Sequence, residues 1–204
     1  MEQETAQITT PTMDKFATLV SYIFHPLLVV IPTLVIAIVQ TGYSLVEAIL
    51  WTLLAVCIVN IPMAFLILYG VRSGRYSDAS VSVKEQRTSI YAVGGACLVV
   101  LLIILILGSA PPVIIACLIS AVMATIAGYI INRYTKLSLH SAAMAGCVTV
   151  LLLTAPVLGV IGALFMPLVG WARIRLKHHT VFQILIGWIV PMVCVLVVFR
   201  WMSI

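Results

Sequence analysis

Apolar runs long enough to cross a lipid bilayer follow one another along almost the whole chain. A helix needs about 20 apolar residues to cross a bilayer, and 63% of the 204 residues here are hydrophobic while only 8% are charged. A soluble domain is about half apolar and about a quarter charged. We therefore predict an all-α integral membrane protein.

The spacing of these runs predicts a bundle of seven transmembrane helices, with six as the alternative count. The runs are residues 16–40, 45–69, 90–107, 113–132, 141–172 and 181–199. The fifth run is too long for one span and barely long enough for two, and the sequence Thr154-Ala155-Pro156 near its middle predicts a tight turn between two short helices. Residues 1–15 are predicted to form a polar tail, and residues 16–204 a single transmembrane domain, with bends at Pro26 and Pro32.

Composition also limits the partners and cofactors that we expect. The five cysteines lie inside apolar runs without a metal-binding or disulfide spacing, so we predict no metal and no cofactor. The net charge of +5 is concentrated in loops at the bilayer edge. Anionic headgroups and phosphates are the nearest partners for such loops, so we expect membrane lipids and not nucleic acid as partners.

Three polar loops each follow an even number of predicted spans, so we expect them on one face of the membrane. They lie near Arg87, His140 and His179, and ten of the eleven Lys and Arg residues share their face while Arg200 alone lies on the other. Cytoplasmic loops carry the excess of basic residues in membrane proteins. The charge bias therefore places these loops on the cytoplasmic face of the cell membrane.

The third loop combines the densest cationic cluster with a spacing that suits an anion. Arg173 and His179 are six residues apart, about 240° around a single helix, which would point them apart. If a turn separates them, both can meet one ligand. Gln183 lies four residues after His179, so its amide can reach the imidazole. A guanidinium, an oriented imidazole and a helix N-terminus together suit phosphate.

The same loop resembles the third motif of the type 2 phosphatidic acid phosphatase superfamily, the lipid phosphate phosphatase and haloperoxidase-like proteins. Arg173, five intervening residues and His179 reproduce the spacing of that motif. Gln183 stands where the family has an Asp, and Gly187 where a Gly often follows.

The other two loops resemble the remaining motifs of that family less closely. Ser138 and His140 keep the Ser and His of the second motif, without its Pro and Gly. Arg87 matches the Arg of the first motif, but Ser80 occupies the expected Lys position and Thr88 the expected Pro. The resemblance covers about the last 120 residues of the chain.

The resemblance implies a phosphatase-like helical core and a metal-independent enzyme that hydrolyses a lipid phosphate or an isoprenoid diphosphate. His179 would attack phosphorus to form a phosphohistidine, and His140 would protonate the leaving alkoxide and then help water to attack. The phosphate-binding residues that it implies are Arg87, Arg173, Ser138, Lys136 and Lys84.

Gln183 is the main departure from the family, because an amide can orient His179 but cannot supply a negative charge. We therefore predict a slower phosphatase. Relatives in this family usually display the site outside the cytoplasm, whereas the charge bias predicts the cytoplasmic face, and we follow the charge.

Each of these residues also has a structural interpretation. Thr180 and Gln183 fit a capping box, Ser138 fits the N-cap of a helix, and the histidines of a basic loop can lie at the interface without chemistry. The alternative function is a non-catalytic phosphatase-like subunit of a larger membrane protein complex. The degraded motifs and the neutral Gln183 favour that alternative.

Overall fold

The computed structural model describes residues 11–79, 81 and 83–204, and the regular secondary structure in this part of the chain is entirely helical. The helices are α1 Pro11–Ile23, α2 Pro26–Gln40, α3 Leu45–Ala55, α4 Ile61–Arg72, α5 Arg87–Leu107, α6 Pro112–Asn132, α7 Leu139–Thr154, α8 Pro156–Arg175 and α9 Val181–Met202. A π-helical segment, Val56–Asn60, joins α3 to α4.

Within the part of the chain that the structure describes, five helical stretches are long and apolar enough to cross a membrane. They are Leu45–Arg72, which contains α3, the π-helical segment and α4, together with α5, α6, α8 and α9. Helices α1 and α2 meet at a bend of 45° and add a sixth span if they cross as one unit. Helix α7 has 16 residues, fewer than the roughly 20 that a perpendicular span needs. The all-helical class is confirmed, and the apolar helices fit a multi-pass membrane protein, while the count of seven stays a prediction.

Helix boundaries follow the capping and proline signals of the sequence. Ser44 and Glu47 form a capping box at the start of α3, and the turn predicted after Thr154 is the single residue Ala155 between α7 and α8. The start of one helix and the length of another differ from the prediction. Helix α1 begins at Pro11, so residues 11–15 of the predicted tail are helical, and α8 has 20 residues where we predicted a short helix.

Helix α7 lies at the centre of the bundle, packed against α2, α8 and α9. Half of its residues are buried. The outer surface of the bundle is apolar, and side chains such as Val157, Leu164 and Leu107 are 75%, 73% and 79% exposed. An exposed apolar surface of this kind needs apolar surroundings, such as lipid. The polar N-terminus of α7 lies among these helices, and it begins the site described next.

Candidate functional site

The loops that carry Arg87, His140 and His179 meet at one end of the bundle. Arg87 Nη1 donates to the carbonyl oxygen of Leu137 at 2.6 Å, and Arg87 Nη2 lies 3.5 Å from His179 Nε2. His140 is close enough to Arg173 and His179 for their charges to interact. The two imidazoles and two guanidiniums singled out in the sequence therefore lie together, while the side of the membrane that they face stays a prediction.

The turn between α8 and α9 brings Arg173 next to His179. Lys177 takes a left-handed conformation, with φ 56°. Its N–H donates to Ile174 at 2.9 Å, and the N–H of His178 donates to Arg173 at 3.1 Å. This pair of bonds is a Schellman motif, which ends a helix by satisfying its last carbonyls. The N–H of His179 also donates to the Arg173 carbonyl oxygen, at 3.3 Å. Backbone hydrogen bonds therefore hold Arg173 and His179 close together although six residues separate them along the chain.

Gln183 fixes the position of the proton on His179. Gln183 Oε1 lies 3.1 Å from His179 Nδ1 and also accepts the backbone N–H of Thr180 at 3.3 Å. Because the Thr180 N–H can only donate, the Gln183 atom that faces both groups is the carbonyl oxygen, and His179 carries its proton on Nδ1. His179 Nε2 therefore keeps its lone pair and faces Arg87. The Thr180 hydroxyl accepts the backbone N–H of Gln183 at 3.4 Å, which completes the predicted capping box.

His179 is neutral at pH 7. Burial, followed by the charges of Arg87 and Arg173, lowers the pKa of His179 to about 3, while the hydrogen bond that His179 donates to Gln183 acts to raise it. The neighbouring His178 is half-buried, and burial followed by the charge of Arg173 lowers its pKa as well. A neutral imidazole with one oriented lone pair can act as a nucleophile.

Two arginines are buried beside this imidazole. Arg87 and Arg173 are each only 1% exposed. Arg87 Nε donates to the carbonyl oxygen of Val81 at 2.8 Å, so two backbone carbonyls hold the guanidinium and leave Nη2 toward His179. Arg173 Nε is buried and has no hydrogen-bond partner among the residues that the structure describes. Buried donors of this kind are costly unless a partner arrives.

The charges around the site are predominantly positive. Lys136 lies within electrostatic range of Arg87 and Arg173, and its pKa is lowered by burial first and then by the charge of Arg87. One carboxylate, Asp78, is close enough to interact with all three cations. Within the described part of the chain, this cluster of three cations and one carboxylate has a net positive charge and can bind an anion with more than one negative charge.

Two of the predicted phosphate-binding residues have structural partners. Lys84 Nζ donates to the carbonyl oxygen of Arg133 at 3.1 Å, which ties two loops together. Ser138 is fully buried, and its hydroxyl accepts the N–H of Ser141 at 3.3 Å as the N-cap of α7. A phosphate contact for either side chain stays a prediction. Ser80, at the first motif's Lys position, lies outside the described residues.

Gly187 allows α9 to approach the N-terminus of α7. A Cβ atom at Gly187 would lie 3.0 Å from the backbone oxygen of Ser138 and 3.2 Å from the Cβ of Ser141. Since the first of these is a backbone atom, it cannot move aside at low cost. The close approach sets the distance between His140 on α7 and the start of α9.

Sequence reasoning missed three features of the site. His25 lies edge-on to His140, with ring centroids 5.2 Å apart, although 115 residues separate them and no local pattern joins them. Asp78 and the Val81 carbonyl come from the long polar loop, whose course no periodicity predicts. The His-Pro pair, His25 and Pro26, inside an apolar run was the one signal available.

An apolar cavity of about 380 Å³ adjoins the cluster. Val81 and Leu137, whose carbonyls hold Arg87, line it together with His25 and His140. The rest of its lining comes mainly from apolar and small residues of α2, of the stretch that runs from α3 through the π-helical segment into α4, and of α5, α6, α7 and α9. Several small residues (Gly94, Ala124, Gly128, Ala142 and Gly146) border this cavity.

Fold and site together define an all-helical protein whose apolar helices carry a buried, cationic, histidine-containing cluster at one end. Among the described residues, no group of three or more His, Cys, Asp and Glu side chains could hold a metal ion. Comparison with protein-family models, with curated proteins and with solved structures finds no match for the chain. The relation to the phosphatase superfamily therefore depends on the motif resemblance alone.

Proposed function

We propose that this protein is a membrane-embedded phosphatase that removes phosphate from a lipid phosphate or an isoprenoid diphosphate through a phosphohistidine intermediate. The observation that carries the proposal is the state of His179. Its proton is fixed on Nδ1 by the Gln183 carbonyl, and its Nε2 lone pair faces the Arg87 guanidinium 3.5 Å away. In that arrangement His179 Nε2, the proposed nucleophile, lies beside the guanidinium that would bind the phosphoryl oxygens.

In the proposed reaction, His179 Nε2 attacks phosphorus, an N–P bond forms, and the P–O bond to the lipid breaks. The negative charges of the bound phosphate favour the protonated form of His140, which then gives its proton to the leaving oxygen. Water then attacks the phosphohistidine, and His140 takes a proton from that water as the N–P bond breaks. Arg87 and Arg173, with Lys136, neutralise the phosphoryl oxygens, which is the main requirement of phosphoryl transfer.

The adjoining cavity supports a substrate with one hydrocarbon chain. A methylene group has about the volume of a water molecule, roughly 30 Å³, so a cavity of about 380 Å³ holds on the order of a dozen carbons. His140 borders both the cluster and the cavity. One lipid molecule could therefore place its phosphate on the arginines and its hydrocarbon chain in the cavity. A single-chain lipid phosphate, such as an isoprenoid phosphate, fits this arrangement.

The test is phosphate release by the purified protein in detergent with a chelator present. We expect the wild type to release phosphate from an isoprenoid phosphate and to form an acid-labile, base-stable phosphoenzyme. His179→Ala should lose both, since it removes the nucleophile. His178→Ala is the matched control, because it changes the adjacent histidine of the same loop and should retain activity. Equal activity of His179→Ala and wild type would refute the proposal.

The second candidate is a non-catalytic subunit that binds a lipid phosphate within a larger membrane complex. The neutral Gln183 favours it, because His179 lacks a carboxylate to stabilise its cationic form. This function predicts that the protein retains lipid phosphate without releasing inorganic phosphate, and that it co-purifies with other membrane proteins in fixed stoichiometry.

A further inference from the structure

The break between α1 and α2 places two groups of one segment against His140. The residue before a proline is restricted to extended backbone, and His25, which precedes Pro26, has φ −66° and ψ 138°. The chain therefore leaves helical geometry after Ile23 and re-enters it at Pro26, with a bend of 45°.

The break frees a backbone carbonyl. In an unbroken helix the N–H of His25 would donate to Ser21, four residues earlier, but here it donates to Tyr22 at 3.2 Å. Ser21 is buried, so its carbonyl oxygen needs another donor. The ring of His140 lies close enough to the Ser21 backbone to interact with it, and a ring N–H can serve only the carbonyl.

His25 contributes the second contact. Its Nδ1 accepts the N–H of Leu27 at 3.3 Å as the N-cap of α2, so neutral His25 carries its proton on Nε2. The His25 and His140 rings are nearly perpendicular, at 87°, with centroids 5.2 Å apart. The charged or titratable groups that reach His140 are Arg173, His25 and His179.

We propose that His25 is a positioning residue for His140, which together with the Ser21 carbonyl fixes the ring plane and the tautomer of that imidazole. In this role the nitrogen that faces the Ser21 carbonyl holds the proton of neutral His140, so the other nitrogen is the one that exchanges protons. This role rests on the proposed function, in which His140 is the acid and then the base. Both rings line the cavity. The pair therefore lies where the oxygen that joins the lipid's phosphate to its hydrocarbon chain would be placed.

The test separates the N-cap of α2 from the contact with His140. Asn is among the best N-cap residues, so His25→Asn keeps the cap but removes the imidazole edge, whereas His25→Ala removes both. We expect His25→Asn to keep the wild-type unfolding temperature and KM for an isoprenoid phosphate, with kcat lowered about tenfold. His25→Ala should lower the unfolding temperature as well.

A second readout does not depend on activity. The chain has four histidines, so ¹⁵N spectra of histidine-labelled protein in micelles can be assigned with one His→Asn variant each. We expect His140 to show a single tautomer in the wild type and a mixture in His25→Asn. An unchanged His140 spectrum in His25→Asn overturns the inference whatever the activity. If the wild type releases no phosphate, the proposed function fails, and the spectrum alone decides the role of His25.

Discussion

At the residue scale, the central feature is a neutral His179 held by an amide. The spacing of Arg173 and His179 predicted that both could meet one ligand on the condition that a turn separates them, and the structure has a turn there, between α8 and α9. The tautomer of His179 could be predicted only on the condition that Gln183 presents its carbonyl oxygen, and not its NH₂ group, to the ring. The structure shows that orientation, since the same oxygen also accepts the N–H of Thr180 at 3.3 Å.

Replacing Gln183 with Glu should raise the pKa of His179 from about 3. A carboxylate opposite Nδ1 stabilises the imidazolium, and Glu also fits the capping box, so α9 should form normally. We expect phosphoenzyme formation to become about tenfold faster or more, since the opposite change in a serine-protease triad costs about 10⁴. Single-turnover kinetics at pH 7 measure this, and Gln183→Leu, which removes the acceptor, should be slower than wild type.

The same substitution should change how stability depends on pH. Folded His179 has a pKa of about 3, whereas the unfolded chain takes up that proton near pH 6.5. The stability that this difference provides is full above about pH 6.5 and is lost as pH falls toward 3. In Gln183→Glu the folded pKa lies higher, so the loss over this window should be smaller. The measurement is the unfolding temperature of wild type and of Gln183→Glu from pH 7 to pH 4. Equal decreases of this temperature in the two proteins would contradict the prediction.

At the element scale, the helix ends were the most predictable part of the fold. The capping box at Thr180 and the turn at Ala155 follow from local residue chemistry, which is visible in the sequence. The break between α1 and α2 was predicted at Pro26, although its effect on the Ser21 carbonyl was not. The π-helical segment Val56–Asn60 could not be predicted, because its apolar residues also fit an ordinary helix.

Gly187→Ala should damage the site by separating α9 from α7. Its Cβ would lie 3.0 Å from the Ser138 backbone oxygen, and relieving such overpacking costs roughly 1–3 kcal/mol. We expect a lower unfolding temperature and at least a tenfold loss of phosphate release.

Gly146→Ala is the matched control for this substitution. It also adds a methyl group to α7 near α9, but its Cβ would lie 3.6 Å from the Cβ of Pro191, an ordinary contact. It should keep the unfolding temperature close to wild type, and it should hydrolyse a short, water-soluble phosphate ester, which does not need the cavity that Gly146 borders, at close to the wild-type rate. Equal losses in both variants would show that the close approach at Gly187 has no special role.

At the scale of the whole molecule, the meeting of three distant loops was predictable from the number of spans between them. With the predicted count of seven spans, parity puts the loops near Arg87, His140 and His179 on one face, whereas with six spans the His179 loop would follow an odd number of them, so this prediction depends on two helices in residues 141–172. The cavity was not predictable, because small residues along a helix are equally consistent with close packing and with empty space. Only the relative positions of the helices that line the cavity decide between the two.

Filling the cavity should change substrate selection more than catalysis. Ala124 on α6 lines the cavity, so Ala124→Phe should lower kcat/KM for a long-chain isoprenoid phosphate at least tenfold. A short, water-soluble phosphate ester, which does not need the cavity, should be hydrolysed at the wild-type rate. Met123→Phe is the control, because Met123 precedes it on the same helix and is 39% exposed. Equal effects on long and short substrates would contradict a chain in this cavity.

The carbonyl oxygen of Gln183 has a wider consequence for this molecule. It closes the first turn of α9 and, with the same atom, keeps the proton on His179 Nδ1. Fraying of that turn would let the imidazole exchange its two tautomers and turn its lone pair away from Arg87. The tautomer of His179 and the first turn of α9 are therefore coupled through one atom, and a change that loosens the start of α9 would disturb the proposed nucleophile while leaving the two arginines in place.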